Sequence, residues 1–436
     1  MAFASLFHST GQVPDEYRPN FRHLTLDIGW FGVLSGSSLA FLAVYAARLG
    51  ANGFQIGLLG AMPAVMNLVF AIPAGRWLQQ EPIGKAVFWT SILYRLGYLL
   101  FIPLPWLFHE SDQVWALVSL SLLMGIPGTA LAVGFNALFA EAVPRDWRAY
   151  VAGIRNVVLS VVYISTSLVS GWILNHINFP TGYQVVFGIG ALGAAMSSYH
   201  LFHVKPLTIP DSTPSTVSTG GTVRPGRMNA PSGNLRADIN FHSPARKLRV
   251  KLLRTDIWQT PFRRTLLVLL AFHLAQYLAV PIFPIYFVHT LQLNDQQIGI
   301  GTAMFYLTVL IGSTQLTRLT QRLDHRRVTG LGVVLLSIYP ILLSLSHGFG
   351  LYLLTSCLGG FSWSLVSGAL ANYLLEKIPA TERPPYLAWY NIILNASILI
   401  GSLSGPIFAD WLGLSTALTI FGILRLLAGL SILRWG

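Results

Sequence analysis

The feature that most constrains this chain is a series of apolar runs, each long enough to cross a lipid bilayer as a helix. A hydrocarbon core of ~30 Å needs ~20 apolar residues per helix. The runs lie near residues 25–47, 55–77, 86–108, 114–140, 150–174 and 182–203, and then near 264–289, 296–319, 327–346, 349–375, 386–409 and 412–433. Because a helix satisfies its backbone hydrogen bonds within one span, the sequence predicts an all-α integral membrane protein with twelve transmembrane helices.

The charges support this interpretation and predict the orientation. Only 10% of the residues are charged, whereas soluble domains typically carry ~25%. Twelve spans place both termini on one side, and of the 28 Lys and Arg residues all but Arg48, Arg95 and Arg425 belong to that side. The positive-inside rule then predicts cytoplasmic termini and a multi-pass protein of the cell (inner) membrane. The net charge of +12 is therefore a topology signal, and we expect no nucleic-acid partner.

A polar segment divides the chain. Residues 208–234 are rich in Ser, Thr, Gly and Pro, a composition typical of flexible linkers. We predict a cytoplasmic tail at 1–20, a six-helix bundle at 21–204, a cytoplasmic linker at 205–262 and a second six-helix bundle at 263–436. Residues 245–258 alternate basic and apolar side chains, and an interfacial helix and a solvated basic loop fit this pattern equally.

The two halves repeat each other at fixed offsets. At an offset of 242 residues, Ile56, Gly57, Arg76 and Gln79 recur as Ile298, Gly299, Arg318 and Gln321. At an offset of 235, Glu141, Pro144, Arg148, Asn156, Ser167 and Leu168 recur as Glu376, Pro379, Arg383, Asn391, Ser402 and Leu403. Six identities in register across one loop and its following helix indicate duplication and two pseudo-symmetric bundles.

This organisation resembles the major facilitator superfamily over nearly the whole chain. The loop after the second span reads GRWLQQEPIGK, in which Gly75 fits the family motif while Gln79 and Gln80 replace its Asp-Arg pair. The glycine-proline pattern of antiporters is missing from the fifth span, and a similar pattern stands in the eleventh, as Gly401, Gly405 and Pro406. The resemblance implies two parallel bundles with a substrate cavity between them near the middle of the membrane.

Polar residues within the spans are candidates for that cavity, because they are costly in a bilayer. Asn156, Ser160 and Tyr163 share one face of the fifth span, and Asn391 and Asn395 share the matching face of the eleventh. Further candidates are His273, Gln276 and Tyr277 in the seventh span, Asn136 in the fourth and Trp363 in the tenth. Hydrogen bonds between neighbouring helices explain the same residues equally well.

Charged residues near the ends of the spans are candidates for gating and coupling. Two repeated pairs, Glu141 with Arg148 and Glu376 with Arg383, are predicted to form a cytoplasmic gate together with Arg76 and Arg318, and helix capping is the competing explanation. Asp27 is the first candidate for proton coupling, although an interfacial position is the simpler interpretation of it, and His273 is the second. Arg95 and Arg425 lie inside spans and require either a polar partner or an anionic group of the substrate.

These features together favour a carrier over other classes of protein. The sequence has no G-x-x-x-x-G-K-[ST] motif for a nucleotide and no recognisable catalytic motif, so we expect neither a pump nor an enzyme, and no cofactor or metal. We predict a monomeric secondary active or facilitative transporter that lies in the lipid bilayer and moves a small solute. Protons are the candidate coupling ion. Drug or metabolite efflux by proton antiport, and a non-transporting receptor or channel, remain alternatives.

Overall fold

The computed structural model describes residues 13–207, 254–379 and 382–436, and those ranges contain helices and connections without a strand. The main helices are α1 (Arg18–Arg48), α2 (Gly53–Leu78), α3 (Ile83–Leu96), α4 (Glu110–Ala142), α5 (Arg148–His176), α6 (Thr181–Phe202), α7 (Phe262–Thr290), α8 (Asp295–Ser344), α9 (Phe349–Glu376), α10 (Arg383–Leu412) and α11 (Leu414–Trp435). Ten of the helices in the described ranges are long and apolar enough to cross a membrane, and α3 is the one that is too short. The predicted all-α membrane class is confirmed.

The third predicted span differs in detail from the observed helix. The third was expected over 86–108, but α3 ends at Leu96 and the chain continues as a 3₁₀ turn, Gly97–Phe101, and a short helix, Leu104–Leu107. Proline, which lacks the backbone N–H that a helix interior needs, stands at 103 and 105 and interrupts the helix.

The eighth and ninth spans lie within the single long helix α8. Asp324 interrupts α8 with φ 63° and ψ 163°, and its side chain accepts a hydrogen bond of 2.8 Å from the backbone N–H of Arg327. Asp324 therefore caps the second part of α8, and the two predicted spans lie on either side of this break.

The duplication is visible where equivalent helices begin. Asn52 caps α2 and exchanges side-chain hydrogen bonds with Gln55, and Asn294 does the same for α8 with Gln297. These two capping boxes are separated by the offset of 242 residues seen in the sequence repeat. The same local chemistry thus begins the second helix of each half.

The helices pack within each half and along two lines between the halves. In the first half α1 contacts α5 and α6, and α4 contacts α2 and α3. In the second half α8 contacts α9 and α11, while α7 contacts α10 and α11. Between the halves, α2 packs against α10 and α5 packs against α8. The outer surface carries exposed large apolar side chains such as Trp89, Leu123 and Leu427, as expected for helices that face lipid.

A buried cluster of charges holds the first half together. Asp27 of α1 is 3% exposed and lies 3.1 Å from the guanidinium of Arg155 on α5 and 3.7 Å from that of Arg95 on α3. Ser197 of α6 donates to the same carboxylate at 2.5 Å, and Arg95 also donates to Ser91 and Ser198. One carboxylate therefore ties four helices together inside the bundle, and proton coupling at Asp27 stays a prediction.

We predict that Asp27→Asn destabilises the protein. The substitution would leave two buried guanidinium groups without their counter-ion, a loss that costs about 3–5 kcal/mol for buried ion pairs. Thermal unfolding of the detergent-purified protein would measure it, with Glu81→Gln, which changes an exposed acid, as the control. A variant that stays as stable as the wild type but loses the pH dependence of its activity would favour proton coupling at Asp27 instead.

Candidate functional site

The candidate site is the interface between the two halves. The helices of the two halves approach each other most closely at one end of this interface. We call the end that carries Arg48 and Asp295 the outer end, and the opposite end, where residue 18 begins α1, the inner end. The largest hydrophobic cluster contains residues of both halves, among them Phe41, Tyr45, Leu278 and Ile298. The remaining hydrophobic clusters of the described residues each belong to one half. Apolar packing between the halves is thus concentrated in one cluster.

Glycines allow the backbones of the two halves to touch at the outer end. A Cβ atom on Gly57 of α2 would overlap the carbonyl oxygen of Ser402 on α10, and one on Gly53 would lie 2.6 Å from Pro406 Cβ. In the second line of contact, a Cβ atom on Gly299 of α8 would lie 2.9 Å from the carbonyl oxygen of Ser167 on α5. A side chain at these positions would therefore separate the helices.

These contacts are related by the sequence repeat. Gly57 and Gly299 are 242 residues apart, and Ser402 and Ser167, which they touch, are 235 apart. The helix pairs α2–α10 and α5–α8 therefore form two pseudo-symmetric copies of one contact. In the second copy Ser167 also donates a hydrogen bond of 3.2 Å to the carbonyl oxygen of Gly299.

An ion pair also joins the halves at the outer end. The guanidinium of Arg48 lies 3.0 Å from the carboxylate of Asp295 and donates to the carbonyl oxygen of Leu293 at 2.6 Å. The two charged side chains are 26% and 11% exposed. Arg48 was predicted from the sequence as the one basic residue on this face, and its partner Asp295 was not predicted. The sequence does show an opposite charge in each half, one where α1 ends and one where α8 begins. Whether these two charges meet depends on how the two halves pack.

Polar and aromatic side chains meet between the halves farther from the outer end. Asn67 of α2 donates to Asn395 of α10 at 3.4 Å, and Thr129 of α4 donates to Asn67 at 3.2 Å. The rings of Tyr163 on α5 and Tyr306 on α8 have centroids 4.0 Å apart. Two predicted cavity residues, Tyr163 and Asn395, thus lie on the interface, while Asn67 and Tyr306 were not identified from the sequence.

Other predicted cavity residues have contacts within their own half. His273 is buried and its Nε2 lies 3.2 Å from the hydroxyl of Tyr390 on α10. Ser160 donates to the backbone oxygen of Asn156, and Asn395 donates to that of Asn391. Tyr277 lies against Gly401, and Asn136 is half-buried. Their role in a substrate site stays a prediction.

A cavity of about 320 Å³ lies inside the second half. It is lined by residues of α7, α8, α9 and α11, among them two predicted residues, Gln276 and Trp363. Its other polar lining includes Thr302, Ser356 and Arg425. The rest is mainly aromatic and comes from Phe283, Phe287, Phe305, Tyr306, Tyr339 and Tyr352. Tyr306 connects this cavity to the interface with α5.

The predicted gate residues lie at the inner end. Arg148 donates to the carbonyl oxygens of Ala140 and Val143 at the end of α4. Glu376 lies 2.6 Å from the ring of His325. Three further basic residues are exposed to solvent in this conformation, namely Arg76, Arg318 and Arg383. Glu141 accepts a backbone hydrogen bond from Leu207. A gate formed by these residues in another conformation stays a prediction.

Comparison with known proteins gives a family match across the chain. The sequence profile of the Major Facilitator Superfamily matches residues 28–275 and 265–436. Among individual proteins, the quinolone resistance protein NorA of Staphylococcus aureus (strain MRSA252) is 23% identical over 133 residues, which cover 30% of this chain and 34% of NorA. The chain therefore aligns with about a third of the length of this relative.

Solved structures share the fold over most of their length. The nucleoside transporter NupG is 12% identical, with a TM-score of 0.64, and the alignment covers 95% of this chain and 98% of NupG. A bacterial homologue of the iron transporter ferroportin, in an inward-facing state, is 13% identical with a TM-score of 0.69 and coverage of 97% and 99%. At such low identity these likenesses establish the fold.

We predict that Gly57→Ala opens the outer end, because its new Cβ atom would overlap a backbone oxygen of α10 that cannot move independently of its helix. The measurement is the distance between spin labels on cysteines replacing Phe54 and Trp411, which are both exposed, in a Cys357→Ser background. Gly60→Ala is the control, since its Cβ atom would meet Ser402 only at 3.6 Å. The distance should grow in the first variant alone, and equal distances in both would refute the close-contact argument.

Proposed function

This chain belongs to the Major Facilitator Superfamily, and we propose that it is a secondary carrier that moves a small solute across the membrane by alternating access. Carriers of this architecture transport by rocking one bundle against the other around a site between them. The match to the family over both halves supports the proposal.

The proposal includes twelve transmembrane helices in two bundles of six. The break at Asp324 divides α8 into two segments, and the proposal takes each segment as one crossing. Together with α3 and its short continuation, they bring the number of crossings to twelve. The bundles then correspond to residues 21–204 and 263–436, joined on the cytoplasmic side. We infer from the positive-inside rule that the inner end faces the cytoplasm.

The observation that carries the proposal is the unequal closure of the interface along its length. Backbone contacts at Gly57 and Gly299 and the ion pair of Arg48 with Asp295 lie at the outer end. At the inner end, Arg76, Arg318 and Arg383 are exposed. We infer a conformation that is closed to the outside, with the polar contact of Asn67 with Asn395 behind the closed end.

Two of these features suit reversible closure. Glycine contacts pack without interlocking side chains, so the helices can separate without a rotamer change, and an ion pair that is partly exposed exchanges its partner for water at low cost. The repeat places one glycine contact on each side of the pseudo-twofold axis. Rocking of the two halves would open both contacts together.

Efflux of drugs is a second candidate, favoured by the partial match to NorA. The two candidates differ in the solutes that bind and in the direction of flux. Accumulation of cationic dyes in the lumen of inside-out vesicles that contain the protein would support efflux. Specific exchange of one class of solute would support a dedicated carrier.

We predict that Arg48→Ala and Asp295→Ala each shift the protein toward an outward-open state. A partly exposed pair contributes up to about 1 kcal/mol, so the ratio of the two states should change by up to about fivefold. The charge reversal Arg48→Asp with Asp295→Arg should restore much of the closure, since the reversed pair can form again.

The measurement uses cells that express the protein with Asn67→Cys and Cys357→Ser. It is the rate at which an impermeant maleimide, added from outside, labels the cysteine at position 67. The matched control is Arg18→Ala, which removes an exposed ion pair with Asp15 at the inner end and should leave the rate unchanged. A label rate that no variant and no solute alters would contradict alternating access.

A further inference from the structure

We propose that the cavity inside the second half binds a small organic monoanion, with Arg425 as the group that takes its carboxylate. The inference rests on the proposed carrier function and assigns a substrate class to it. It depends on the charge, the unused hydrogen-bonding groups and the walls of the cavity.

Arg425 is a buried charge whose described hydrogen bonds go only to backbone oxygens. The residue is 1% exposed and donates to the carbonyl oxygens of Leu336 at 3.2 Å and Gln276 at 3.3 Å. Its Nε is buried without a hydrogen-bond partner, and no ion pair to it occurs in the described ranges. A guanidinium has five N–H donors. Two of them are used here, so others remain for a ligand.

The first half shows how this fold treats other buried arginines. Arg95 and Arg155 are also buried, and both lie beside the carboxylate of Asp27. Burying a charge without a counter-ion is costly, and the protein avoids that cost for these two residues with an acid of its own. Arg425 has a cavity beside it where such an acid would be expected. A carboxylate on a ligand would complete the same arrangement.

The cavity specifies the rest of the ligand. Its volume of about 320 Å³ is at the lower end of the ~300–1,000 Å³ that is typical of small-molecule sites. Aromatic side chains, among them Phe283, Phe305 and Tyr339, make up half of its lining residues and suit a flat apolar body. The side-chain oxygen of Gln276 is buried without a partner and can accept one hydrogen bond. One unpaired guanidinium calls for a single negative charge.

An occupant of this cavity would also contact the interface between the halves. Tyr306 lines the cavity and packs against Tyr163 of the first half, with ring centroids 4.0 Å apart and the ring planes tilted by 33°. A ligand that fills the cavity therefore touches a residue whose position depends on how the halves meet. This contact connects binding of the anion to the movement that alternating access requires, and makes the anion a candidate substrate.

Binding is tested on the detergent-purified full chain, without any requirement for transport. The probes are benzoate, phenylacetate and cinnamate at millimolar concentration, with benzamide as the neutral and benzylamine as the cationic analogue of benzoate. At least one carboxylate should raise the melting temperature by about 2 °C or more, because a ligand that binds the folded state stabilises it. The amide and the amine should leave it unchanged.

Two variants locate the site. Arg425→Met keeps the length of the side chain and removes the charge, so the shift by carboxylates should disappear, whereas Arg434→Met, on the same helix and exposed, should retain it. Should Arg425→Met fail to fold, Thr302→Phe keeps Arg425 and fills the cavity, and should abolish the shift in the same way.

The outcomes separate this inference from the carrier proposal. If none of the three carboxylates raises the melting temperature, or if benzoate and benzamide raise it equally, the anion site is overturned. Alternating access is not contradicted by either result. Shifts that persist in both Arg425→Met and Thr302→Phe would also overturn it, by placing the ligand elsewhere. If carboxylate binding depends on Arg425 but the outer end never opens, the site is supported and the carrier proposal is contradicted.

Discussion

The arrangement of this molecule depends on how closely the two halves approach at the outer end. In a bilayer there is little hydrophobic gain from bringing apolar helices together, so association relies on close packing and on small residues that let backbones touch. Gly57 against Ser402 and Gly299 against Ser167 supply that contact twice. The position of Tyr163 against Tyr306 and the contact of Asn67 with Asn395 follow from it.

Buried charge is handled differently in the two halves, and this difference bears on function. In the first half, Asp27 lies between two guanidinium groups and ties four helices together, an arrangement suited to a rigid bundle. In the second half, Arg425 lies beside a cavity of about 320 Å³ with aromatic walls. The repeat thus preserves the helix contacts that close the interface, while buried charge has diverged between the halves.

Much of the fold follows from the sequence, because the lengths of apolar runs and the requirement for internal hydrogen bonding leave few solutions in a membrane. The apolar runs marked the helices, and the offset of 242 residues is the one that separates the equivalent capping boxes at Asn52 and Asn294. The early end of α3 was not anticipated, since hydropathy does not register a proline-containing turn. The break in α8 at Asp324 lies in the gap between the eighth and ninth predicted spans. The candidate site was predicted less well. Of the polar stripes, Tyr163 and Asn395 lie on the interface, while His273 bonds to Tyr390 within the second half.

The sequence by itself determined that this chain is a helical membrane protein with an internal repeat and a basic inner face, because hydrophobic length, duplication and charge asymmetry are properties of the order of residues. The tertiary structure decided which charges meet. Arg48 pairs with Asp295 across 247 positions of sequence, Arg95 and Arg155 share Asp27, and Arg425 faces a cavity. Their partners depend on which faces of distant helices pack together, and that is settled only when the bundle forms.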